Sequence, residues 1–134
     1  MSEVTLGDIE AAIRNVPDFP KPGIQFKDIT PVLGDAALFA GSIDLLAAHH
    51  ADSGIDAVVG IDARGFIFAA AAARQINAAF VPIRKKGKLP HKTIEENFSL
   101  EYGEDTVAIH EDALKPGARV LLLDDLLATG GTAA

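Results

Sequence analysis

Apolar residues recur at helical spacing near the start of the chain, at Leu6, Ile9, Ala12 and Ile13, with Thr5 placed to cap the helix and Asp8 in its first turn. The stretch that follows, PDFPKPGIQFKDITPVLGD, contains Pro17, Pro20, Pro22 and Pro31, which rule out a long helix and predict extended segments and turns. Asp35 is placed to cap a second helix, in which Leu38, Phe39, Ile43, Leu46 and Ala47 repeat at helical spacing; Gly54 is its predicted stop, with His49 and His50 at its end. Beyond Gly54 the period changes. IDAVVGID, AAFVPIR and ARVLLLDD are short and almost wholly apolar, and RGFIFAAAAARQIN between the first two reads as a helix with a small-residue face. Apolar strands alternating with helices predict βαβ units, an α/β fold with a mostly parallel twisted sheet flanked by helices. Between the second and third apolar runs, TIEENFSLEY and DTVAIH alternate weakly around Gly103, which predicts a flexible β-hairpin lid; His91 and His110 fall in this region.

Composition narrows the class. At 134 residues and 49% hydrophobic the chain suits a single domain, residues 1–134, with no repeat or low-complexity tract. Twelve Lys and Arg against nineteen Asp and Glu leave a net charge of −7, the wrong sign for a general nucleic-acid or anionic-membrane binder. Any site for a polyanion must therefore be local. With no cysteine there is neither a disulfide framework nor a thiolate metal site, which fits a reducing cytoplasm. The N-terminal MSEVTLGDIEAA has no apolar signal core and no apolar run approaches membrane-spanning length, so the expected protein is soluble and cytoplasmic.

In open α/β sheets ligands sit beyond the carboxyl ends of the strands, and three such ends carry chemistry. The first, GIDARGF at 60–66, has the spacing of a Walker loop but Phe66 and Ile67 where lysine and serine or threonine would be needed, which excludes a nucleotide P-loop. Arg64 beside Gly65 at a helix start could offer a guanidinium and amides to pyrophosphate, or be a solvated arginine on a plain turn. The second, IRKKGKLPHK, gathers Arg84, Lys85, Lys86, Lys88 and Lys92, either a polyanion site or a solvated loop. The third ends in Asp124 and Asp125, followed by ATGGT. Carboxylates accept hydrogen bonds from sugar hydroxyls, and small residues with unhindered amides can cradle a phosphate. A ribose carrying a 5′-phosphate would satisfy both.

An apolar strand followed by Asp-Asp and Ala-Thr-Gly-Gly-Thr resembles the phosphoribosyl pyrophosphate (PRPP) signature of the type I phosphoribosyltransferases. PDFPKPGIQFKDITPVL, GIDARGF, IRKKGKLP, LEYG and VLLLDDLLATGGT stand in the order and spacing of the adenine branch of that family, over essentially the whole chain. The resemblance implies magnesium-dependent transfer of phosphoribosyl from PRPP to adenine, giving AMP and pyrophosphate. It implies that Asp124 and Asp125 meet the ribose hydroxyls and that Ala128, Thr129, Gly130, Gly131 and Thr132 wrap the 5′-phosphate. Arg64, with Arg84 and Lys88, would hold the pyrophosphate, and Gln25, Phe26 and Lys27 would form the adenine slot. Glu101 and Tyr102 would sit on the lid over the reacting centre, with Glu101 exchanging a proton with the purine; without the resemblance they read as an exposed hairpin tip. Magnesium is expected to arrive on PRPP and water, with no direct protein ligand, and relatives imply a homodimer.

Family members continue past the Thr-Gly-Gly-Thr turn with a helix and a further strand, so the expectation is a domain incomplete at its C-terminus, with weak stability or activity. Alternatives are a phosphoribosyltransferase for another purine, a non-catalytic PRPP or nucleotide-binding regulator, and a fragment serving only in dimerisation or folding.

Overall fold

The structure, a computed structural model, describes residues 3–100 and 103–124. Its contacts fall into two compact units, one up to Ala48 and one from His49 onward.

The first unit begins with helix α1, Leu6–Ala12, closed by a capping box in which the Asp8 amide donates to the Thr5 hydroxyl and the Thr5 amide donates to the Asp8 carboxylate. That amide, and after it the Thr5 hydroxyl, hold the Asp8 carboxyl below its ordinary pKa. The box therefore contributes above the pKa of the unfolded carboxyl, and its contribution is lost as pH falls through the lowered folded value. The expected apolar stripe is not a buried one: no residue of α1 is buried, Leu6 is 72% exposed, and Ile13 lies past the helix in extended backbone. Local capping, more than core burial, defines this helix.

The proline-rich stretch forms an antiparallel pair, β1 at Arg14–Pro17 and β2 at Gln25–Asp28, with Asn15 opposite Lys27 and Val16 opposite Phe26. The turn between them contains a cis Phe19-Pro20 bond and Gly23 in left-handed backbone, its amide donating to Asp18 Oδ1. A short helix, α2 at Thr30–Leu33, buries Val32. Helix α3, Ala36–Ala47, starts at Asp35, whose carboxylate accepts from the Leu38 amide, and buries Gly41, Ser42, Ile43 and Ala47. It stops well before Gly54, and His49 and His50 lie in the turns beyond it.

The second unit is a five-stranded mixed sheet in the order β5-β6-β4-β3-β7. Its parallel centre is β4 (Ala79–Lys85), β3 (Ala57–Ile61) and β7 (Val120–Leu123). Every residue of β3 is buried, as its unbroken apolar run predicts. Helix α4, Arg64–Gln75, lies on one face and buries Gly65, Phe68, Ala69, Ala72 and Ala73. The small-residue face permits close approach: a Cβ on Gly60 would come within 2.7 Å of the Ala69 Cβ. On the other face Ala57, Val59 and Val81 pack with Ile83, Ile109, Ala113 and Leu114.

The predicted hairpin is present as β5 (Thr93–Leu100) and β6 (Gly103–His110). It is also part of the sheet, because β6 pairs antiparallel with the end of β4, Arg84 opposite Ala108 and Lys85 opposite Val107. Among the described residues no helix is long and apolar enough to cross a membrane.

Candidate active site

The parallel pairing aligns the carboxyl ends of β4, β3 and β7. Register sets Ile61 opposite Ile83, so the next residues, Asp62 and Arg84, emerge together. The Asp62 amide donates to the Ile83 carbonyl at 2.9 Å, and Asp62 Oδ2 accepts from Arg84 Nε at 3.1 Å. The Asp62 side chain is 17% exposed and that of Arg84 37%, so the pair is partly withdrawn from water. Arg84 Nη1 also reaches the Lys88 carbonyl, at 3.5 Å, tying the start of the next loop to the same guanidinium. The Asp62-Ala63 peptide is cis, and Arg64 follows as the first residue of α4, half-buried.

The neighbouring end, that of β7, carries Asp124. A Cβ on Gly65 would stand 2.9 Å from Asp124 Oδ1 and 3.4 Å from the Leu123 carbonyl oxygen, so the carboxylate lies directly against the first turn of α4. Negative charge is favoured there by the dipole of a helix start. A turn carrying a guanidinium, a guanidinium braced by Asp62, and a carboxylate thus occupy adjacent strand ends.

The basic cluster of the sequence divides in the structure. Lys85 Nζ stands 3.9 Å from Asp105, and Lys86 Nζ 3.6 Å from Glu95, so these two lysines are drawn to acids of the hairpin that pairs with β4. Arg84 and the exposed Lys88 remain linked at the strand end, and the carbonyl of exposed Lys92 accepts from the Glu111 amide. At the hairpin's base the His91 amide donates to His110 Nε2 at 3.3 Å, and His91 faces Asp112 at 3.6 Å. Among the described residues no group of three His, Cys, Asp or Glu gathers to hold a metal ion.

In the first unit, Gln25 and Lys27 share one face of β2, and both reach Asn15 on β1: its amide donates to Gln25 Oε1 at 2.7 Å and its oxygen accepts from Lys27 Nζ at 3.2 Å. Phe26, on the opposite face, packs edge-on against Phe19 at 5.1 Å between ring centroids. Glu101, Tyr102, Asp125, Ala128, Thr129, Gly130, Gly131 and Thr132 lie outside the described residues. Asp62 as the brace of Arg84 was not read from the sequence. The signal was available: IDA and IRK follow neighbouring parallel strands, and aligning their last apolar residues sets Asp62 beside Arg84.

The family model of the phosphoribosyl transferase domain matches residues 32–133. An adenine phosphoribosyltransferase of Rhodopseudomonas palustris (strain BisB18) is 58% identical over 126 residues, 94% of this chain and 63% of the relative. One from Aeromonas salmonicida is 55% identical over 132 residues, 98% of this chain and 73% of the relative. Among solved structures, the Giardia lamblia APRTase complexed with 9-deazaadenine superposes with a TM-score of 0.92 at 40% identity, covering 97% of this chain and 72% of that one. The chain thus spans between about three fifths and three quarters of the length of these relatives. With the domain model matching most of the chain and these relatives aligned along nearly all of it, the chain belongs to the phosphoribosyltransferase family, in its adenine phosphoribosyltransferase branch.

Proposed function

We propose that this chain transfers the 5-phosphoribosyl group of PRPP to adenine, releasing pyrophosphate and giving AMP, a purine salvage reaction. The observation that carries the reading is the approach of Asp124 to the first turn of α4, 2.9 Å from the position a Gly65 Cβ would take. It makes neighbours of a sugar-binding acid and a pyrophosphate-binding turn, and PRPP is a ligand that needs both. In the reaction the purine nitrogen bonds to the anomeric carbon while the bond to pyrophosphate breaks, so positive charge grows on the ribose ring and the leaving group takes the electron pair. Asp124 and Asp125 hold the ribose hydroxyls, and Arg64, Arg84 and Lys88 meet the departing pyrophosphate. Residues 128–132 cradle the 5′-phosphate, and Gln25, Phe26 and Lys27 form the adenine slot, Phe26 supplying the apolar surface. The proton leaving the purine ring passes to Glu101, a transfer typically worth ~10²- to 10⁴-fold. Tyr102 closes with it over the centre, excluding water from the activated sugar.

Bound magnesium would supply charge neutralisation on the leaving group. Hard oxygen donors suit it, and PRPP and water would supply them, with no direct protein ligand. The reading treats residues 1–134 as one phosphoribosyltransferase domain of a cytoplasmic homodimer. The lack of cysteine supports the reducing compartment, and the exposed Ile67 and Phe80 supply apolar surface for association.

The test is AMP formation from adenine and PRPP with magnesium, run beside an Asp124→Ala/Asp125→Ala variant and beside hypoxanthine in place of adenine. Adenine-dependent product that vanishes in the variant is the expected result. PRPP binding without turnover would favour a regulator, and a preference for hypoxanthine would reassign the base.

A further inference from the structure

Gly65 is the second residue of a twelve-residue helix, and its φ lies outside the left-handed region that favours glycine. At such a position alanine is the better helix former, so local backbone chemistry gives no reason for the missing side chain. The surroundings do. A Cβ here would meet Asp124 Oδ1 at 2.9 Å, the Leu123 carbonyl oxygen at 3.4 Å and the Asp124 Cα at 3.6 Å. The last two are close to ordinary contact distances. The one contact that cannot stand is with the end of a side chain that can rotate away.

We infer that Gly65 is a positioning residue for Asp124: its bare α-carbon keeps open the space in which the Asp124 carboxylate lies against the start of α4. The inference rests on the proposed function only in taking that carboxylate as the acid for the ribose. It separates two properties that a structural glycine would join. A methyl at Gly65 displaces a rotatable carboxylate and improves helix propensity, so the fold keeps its stability while the acid leaves its place. Gly60 shows the contrast, since a Cβ there would meet the Ala69 Cβ at 2.7 Å, the Phe80 ring at 3.0 Å and the Gly65 carbonyl oxygen at 3.1 Å, packed groups of the sheet and its covering helix.

The experiment compares Gly65→Ala, Asp124→Ala and the double variant in the full chain. It measures the thermal midpoint, KM and kcat with PRPP and magnesium, and the carbon-13 shift of the Asp124 carboxylate. The expected Gly65→Ala protein melts at or above the wild-type temperature. Its KM for PRPP rises on the order of ten-fold or more, the scale of one lost charge-assisted hydrogen bond, with kcat moved less and the KM for adenine unchanged. The Asp124 resonance moves, and the double variant is no worse than Asp124→Ala alone. Losses that add in the double variant, or an Asp124 resonance that stays at its wild-type shift in Gly65→Ala, would overturn the inference. A wild-type chain that makes no AMP, combined with a moving Asp124 resonance, would overturn the proposed reaction and leave the spacing role in place.

Discussion

Gly60 lies in the fully buried strand β3, where any added atom must displace a packed neighbour. Gly60→Ala is therefore expected to destabilise the protein by about 1–3 kcal/mol, the usual range for overpacking a filled core. The nearest obstacle is the Ala69 Cβ, so Ala69→Gly in the same chain should recover part of the loss, less the cost of a glycine within a helix. Urea unfolding of both single variants and the double measures the coupling; purely additive losses would mean that the helix does not bear on Gly60 through Ala69. At this scale the sequence was partly legible. Asp124 stood out in the sequence as a candidate because acids directly after an apolar strand have an evident ligand chemistry. Asp62 was legible only by aligning IDA with IRK across two strands, since it acts through Arg84, and Gly65 left no signal because it acts by lacking a side chain.

At the scale of elements, α3 depends on a start signal that sequence and structure share. Asp35 accepts from the Leu38 amide at 3.0 Å, so Asp35→Ala should cost about 1 kcal/mol and Asp35→Ser much less, read from the shift in denaturation midpoint. Equal losses for the two would show that the cap hydrogen bond is not what the carboxylate contributes. Starts were legible because caps are local chemistry; the end of α3 was not. Glycine at position 54 looked like the stop, yet the helix closes at Ala47, since the following Ala48, His49, His50, Ala51 and Asp52 offer no large apolar side chain to hold another turn on a core. Gly54 instead occupies left-handed backbone in the later turns. The hairpin was visible as alternation around Gly103, but its pairing with β4 was not, because register between distant segments leaves no trace in either segment alone. That pairing is also why the basic cluster divides: it brings Asp105 and Glu95 within reach of Lys85 and Lys86.

The molecule as a whole carries a net charge of −7, while its proposed ligand is itself a polyanion. Distance separates the two opposing effects. On the proposed function the net charge repels PRPP over the long range, whereas Arg64, Arg84 and Lys88 would attract it at contact. At ~0.01 M salt the screening length is about 30 Å and the repulsion reaches well into solution; at ~0.1 M it is about 10 Å, and most of that repulsion is gone while contact attraction persists. Toward ~1 M the length falls to about 3 Å and the contact attraction weakens as well. The KM for PRPP at fixed free magnesium should therefore fall or stay level between the first two conditions and rise toward the third. Arg84→Gln removes one of the attracting charges and leaves Asp62 without its guanidinium partner, so the variant should start from a higher KM and show a shallower rise at high salt. A KM that falls steadily with salt in the wild-type chain would mean that repulsion dominates at every distance, and that the cations at the strand ends do not meet the ligand.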